Sequence, residues 1–116
     1  MALMAIGFFM QGQIMVDGEA LKLDGLQYIE VEFLNIVGSN DLKVFIDYGQ
    51  KVTILDRRSK TLTNKQGKAI LFRSKVHALN WFHLQGWDIL EVYHPTSGGQ
   101  TSNNDILYLL KNRMTS

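Results

Sequence analysis

His77, His83 and His94 are the only imidazoles in the chain, and cysteine is absent altogether. Thiolate metal sites, disulfide frameworks and a cysteine nucleophile are therefore excluded together. His77 and His83 stand six residues apart on what reads as a helix. They point about 240° away from each other and cannot share a metal by local geometry. No His-Glu-x-x-His spacing occurs, so no metal site is expected. The plain reading of each is a lone surface histidine. His94 is the most promising, because it opens a polar loop and could reach Asp88 or Asp105 across a hairpin. No nucleophile stands beside it in the sequence. Glu30 and Glu32 share one face of a strand, about 6.6 Å apart by strand rise. That spacing suits the acid–base pair of a glycoside hydrolase, but adjacent glutamates on a solvated strand face explain it as well. Glycine-rich phosphate loops and the Gly-x-Ser-x-Gly elbow are both missing. No cofactor, no catalytic residue and no enzymatic activity are expected, with a small hydrolase built on His94 and a carboxylate as the last alternative.

Two surfaces remain for binding. The loop from His94 to Asn104 is dense in uncharged hydrogen-bonding groups, among them Thr96, Ser97, Gln100, Asn103 and Asn104. Set beside Trp81 and Tyr93, they would form an aromatic-and-amide surface suited to a peptide or glycan. A plain hairpin tip is the competing reading. The second surface is electrostatic. Net charge is +1, yet residues 17–56 sum to −5 and residues 57–116 to +6. Arg57, Arg58, Lys60, Lys65, Lys68, Arg73 and Lys75 run without an acid between them, a candidate anion-binding window. Nucleic acid is disfavoured, because the single aromatic inside the window, Phe72, belongs to an apolar run rather than a stacking platform. Oppositely charged strands that pair across a sheet or simply face water are the plainer account of the split.

The elements that must position these residues are mostly strands. Residues 20–23 form a short strand between the turn dipeptides Asp17-Gly18 and Asp24-Gly25. Tyr28–Leu34 alternates, with Ile29, Val31 and Phe33 on one face, as a half-buried strand does. Leu42–Tyr48 and Lys51–Asp56 read as strands, and Ala69–Phe72 as a short one. Ser74 is a good N-cap for a helix over 75–85, with Val76, Ala78, Leu79 and Phe82 as its apolar stripe and Gly86 as its stop. Trp87–Tyr93 is apolar on both faces, which predicts a central strand under the helix. It should pair with Asp105–Lys111 as a long-looped hairpin. The expected architecture is α+β: a mostly antiparallel sheet of about five or six strands with one main helix on one face.

Within this plan, Lys75–Tyr93 resembles a family of small uncharacterised bacterial domains. Its marks are an Ala-Leu-Asn helix followed by Gly-Trp-Glu at the strand entrance, and a closing Tyr-x-Leu-Leu-Lys. The matching residues are Ala78, Leu79, Asn80, Gly86 and Trp87, then Tyr108, Leu109, Leu110 and Lys111, with Asp88 in place of the family's usual glutamate. The likeness spans about Ile46 to Lys111 and implies a fold but no activity. Packing explains the motif without chemistry: Ala78 and Leu79 seat the helix, Gly86 turns the chain, and Trp87 buries at the strand entrance.

Residues 1–16 carry no charge. This apolar leader is too short for a membrane-spanning helix but matches the core of a signal peptide, with Gln11-Gly12-Gln13 as a cleavage region. No basic residue precedes it, and Met10 is bulky for its place before a cut after Gly12. An N-terminal strand or helix is the alternative. The division expected is a leader over 1–16 and one α+β domain over 17–116. These features favour an exported protein of the periplasm or cell envelope that binds a protein or surface glycan, with homodimerisation open. A cytoplasmic regulatory or nucleic-acid accessory domain using the basic window is the alternative.

Overall fold

The computed structural model describes residues 13–50, 60–94 and 106–114. In chain order the elements are β1 (Met15–Val16), β2 (Glu19–Ala20), β3 (Tyr28–Asn35), β4 (Leu42–Asp47), β5 (Leu62–Thr63), α1 (Lys75–Leu84), β6 (Trp87–Tyr93) and β7 (Leu107–Asn112). The fold is α+β, and its strands divide between two antiparallel sheets. The larger has the order β4-β3-β7-β6 and the smaller β2-β1-β5.

Alternation decides the layers. Ile29 and Val31 on β3, Val44 and Ile46 on β4, Leu110 on β7 and Trp87 on β6 are all buried on the inner face of the large sheet. They join one core with Ile14, Val16, Leu21 and Leu62 from the small-sheet side and with Phe72, Ala78 and Phe82 from the helix side. Each of the larger aliphatic and phenylalanine side chains contributes about 1.5–3 kcal/mol through removal from water. The helix and the small sheet thus cover one face, and the opposite face mixes Glu30, Glu32, Asp47 and Glu91 with Phe45, Leu107 and Leu109. The last residues of the apolar leader lie inside this core, since Ile14 and Val16 are buried.

Local signals explain the connections. Asp17 and Gly18 both have positive φ, at 52° and 83°, which makes the two-residue β1–β2 turn the type whose twist matches a hairpin. Ser74 caps α1, its Oγ accepting from the His77 amide at 3.1 Å. Gly86 has φ 98° and turns the chain from the helix into β6.

Several expectations change. Trp87–Tyr93 is an edge strand of the large sheet, not a central one, because its pairing is with β7 alone among the described residues. Residues 69–72 make only isolated bridges, from Ala69 to Thr63 and from Phe72 to Leu42. The strand expected at 20–23 pairs only through Glu19–Ala20, and Leu21 beyond it turns into the core. Val76 leaves the apolar stripe: it is 65% exposed, and the helix buries Ala78 and Phe82. The strand expected over 51–56 lies outside the described residues. Among the described residues, no helix is long and apolar enough to cross a membrane.

Candidate functional site

The two edges of the large sheet are treated differently. At β4, the Leu42 and Phe72 amides and carbonyls exchange hydrogen bonds at 2.7 and 2.8 Å, and the Ile46 amide donates to Lys60 O at 2.7 Å. Phe45 bridges Thr61, and Lys43 and Lys60 hold their ammonium groups 5.4 and 6.0 Å from its ring. That edge is covered. At β6, no strand pairs along the outer side among the described residues, and Ile89, Leu90 and Val92 are 48, 54 and 49% exposed. A register shift between Ile89 and Glu91 leaves Leu90 as the extra residue of a bulge.

Register places the side chains beside this edge. Asp47 of β4 faces Glu30 of β3, Glu30 faces Leu109 of β7, and Leu109 faces Glu91 of β6. One row across all four strands therefore carries three carboxylates on the outer face. Tyr93, two residues on from Glu91, donates its hydroxyl to a Glu30 carboxylate oxygen. That hydrogen bond, then partial burial and the charges of Glu30, Glu91 and Asp47, push the Tyr93 phenol up to about 12.

The other end of β6 carries a cluster of charged groups. Asp88 Oδ1 accepts from Arg113 Nη1 at 2.6 Å and lies 2.9 Å from His83 Nδ1. Arg113 Nη2 also donates to the His83 carbonyl at 3.0 Å, satisfying a helix C-terminal acceptor. Partial burial raises the Asp88 carboxyl, but the hydrogen bonds and charges of His83 and Arg113 outweigh it and hold its pKa below the usual carboxylate value. The same His83 Nδ1 also lies 3.1 Å from Arg113 Nη1, so the imidazole nitrogen stands between a carboxylate acceptor and a guanidinium donor. A histidine oriented by a carboxylate is half of a catalytic arrangement. No hydroxyl bonds to this histidine among the described residues, and no group of three potential ligands is poised for a metal there. A cleft of about 270 Å³ opens beside the cluster between Leu90 and Lys111.

Of the expected site residues, only Trp81, Tyr93, His94, Lys60, Lys65 and Lys68 are among those described. Trp81 packs on the inner side of the sheet, its ring centroid 5.8 Å from that of Phe72 and 5.0 Å from that of Phe82. Tyr93 faces the opposite side with Glu30, so the two aromatics are not brought together. His94 is exposed just past β6. Asp88 sits at the far end of that strand, about 20 Å away by strand rise, and has taken His83 instead. His77 serves the helix start, its Nδ1 accepting from the Arg73 amide at 3.1 Å. Thr96, Ser97, Gln100, Asn103, Asn104 and Asp105, with Arg57 and Arg58, lie outside the described residues. The remaining basic residues occupy three places: Lys60 at the covered edge, Lys65 and Lys68 in the turn after β5, and Arg73 and Lys75 at the helix start.

Two residues escaped the sequence reading. Asn112 is fully buried and ties β7 to the chain before β3, donating from Nδ2 to Leu26 O at 3.0 Å, while its Oδ1 accepts from the Met114 amide at 2.9 Å. Arg113 had no sequence signal beyond being a cation near the end of the chain. No protein-family model, no curated protein and no solved structure matches the chain.

Proposed function

We propose that this chain is a non-catalytic domain of the cell envelope that binds a protein partner along β6. The observation that carries the reading is the contrast of edges: β4 is closed by backbone bonds, while β6 exposes Ile89, Leu90 and Val92 with no strand beside it among the described residues. Exposed edges are templates for strand addition, in which main-chain bonds supply affinity and flanking side chains supply selectivity. A protein partner fits this edge better than a glycan, because the aromatic pair Trp81 and Tyr93 forms no common platform. Export is supported by the charge-free leader, and a cut after Gly12 would leave Ile14 and Val16 in the core.

Two measurements test the reading. Fractionation of cells followed by N-terminal sequencing should find a shortened chain outside the cytoplasm. A photocrosslinker at Val92 should give a discrete adduct that one at Val37, exposed in the β3–β4 turn, does not. A full-length cytoplasmic product removes the envelope reading, and equal adducts from both positions remove the docking edge. The basic window does not favour a nucleic-acid reading, since its described members are distributed over three local structures.

A further inference from the structure

Provided β6 is a docking edge, as proposed above, we infer that its occupant is an extended segment of another protein in which a lysine or arginine, flanked by apolar residues, stands opposite Glu91. The cross-strand row selects that residue. Asp47, Glu30, Leu109 and Glu91 align across β4, β3, β7 and β6, so a strand added to β6 supplies the next member of the row. Three of the four existing members are carboxylates. An opposite charge is favourable directly across a pair, and a like charge is not.

Lys111 of β7 stands opposite Asp88, on the same face as Glu91 and two residues from Leu109, and makes no ion pair among the described residues. Asp88 is held by Arg113 and His83, whereas Glu91 is exposed and has no cation within salt-bridge distance among the described residues. The residues flanking the cation turn to the other side of the added strand, where Ile89 and Val92 lie half exposed. Apolar neighbours suit that side. The cleft lined by Leu90 and Lys111, beside the bulge, offers room for a further side chain.

A second copy of this chain fits the row poorly. In antiparallel pairings of β6 with itself centred on Leu90, Glu91 or Val92, the two Glu91 residues stand directly opposite or on the nearest diagonal. The added strand then brings a like charge directly across from Glu91 or diagonal to it, which is unfavourable.

Two short peptides serve as probes, one alternating valine with lysine and the other valine with glutamate, titrated into the isotopically labelled full chain by NMR. The valine–lysine peptide should shift the amides of β6, with the valine–glutamate peptide weaker. Glu91→Lys should reduce affinity for the first about fivefold and raise it for the second. Glu19→Lys on β2 should change neither. Equal binding of both peptides at β6, or indifference to Glu91→Lys, overturns the charge selection and leaves the docking edge standing. If neither peptide perturbs β6, both readings fall. A dimer by analytical ultracentrifugation, with β6 amides protected from exchange, would give the edge to a second copy and overturn the inference.

Discussion

The β4 and β6 edges belong to one sheet, and each has a single strand neighbour within it. They differ in what lies beyond. Past β4, the segment around Lys60–Thr61 and the Phe72 backbone supply the missing hydrogen bonds, and Phe72 inserts its ring into the core. Past β6, the described residues supply no backbone partner, and the strand instead has a bulge at Leu90 and a charged cluster at its entrance. Bulges and charges are the usual means by which an edge avoids indiscriminate pairing. The contrast teaches that coverage at β4 is part of the hydrophobic core, whereas control at β6 is electrostatic and local. One edge should therefore be expensive to alter and the other cheap.

The largest expected effect follows directly. Phe72→Ala should destabilise the domain by about 3–5 kcal/mol, while Val92→Ala should change stability by no more than about 0.5 kcal/mol. Urea unfolding of both variants checks the comparison, and similar losses would break it. Next comes Asn112, which sits opposite Trp87 but is buried. Asn112→Ala strands the Leu26 carbonyl and the Met114 amide and should cost about 1–3 kcal/mol, read from the same transitions. A smaller effect there would mean that the β7 end relaxes as readily as the open edge.

Two titrations sharpen the electrostatic half. Tyr93 has its phenol raised from 10.0 to about 12, so its contribution to stability is complete below pH 10 and is lost as pH rises through about 12. Glu30→Gln should return the phenol towards 10, visible by ultraviolet absorbance of the tyrosinate. The smallest effect is at Asp88. Its pKa is depressed below 3.8, so the stabilisation is present above that value and is lost as pH falls through the folded-state pKa. Arg113→Met should raise the Asp88 pKa, measured by carboxyl carbon NMR, with a stability change under about 1 kcal/mol because the groups are half exposed.

Much of the fold was legible because its signals are local. Ser74 and Gly86 bound the helix by cap chemistry, and the alternation of Tyr28–Leu34 and Leu42–Tyr48 marks their buried faces. The Trp87–Tyr93 hairpin with Leu107–Asn112 also follows from pattern. Alternation reports which face is apolar, however, and says nothing about how many neighbours a strand has. That is why β6, apolar on both sides, reads as central while standing at an edge. The same limit applies to the candidate site. His83 and Asp88 are five apart, a spacing that matches neither helix nor strand; they meet because Gly86 reverses the chain between them. A glycine two residues before an acid and three after a histidine was the available signal. Arg113 offered none, since it arrives from 25 residues away through the pairing of β6 with β7.

By itself, then, the sequence determined the capped helix, the longer strands and the absence of cysteine chemistry, because propensity, capping and composition act over a few residues. Only the tertiary structure decided which edge is covered, which carboxylates align in a row, and which histidine meets an aspartate. Those depend on register and strand order, which arise when distant segments compete for the same core face and the same backbone hydrogen bonds.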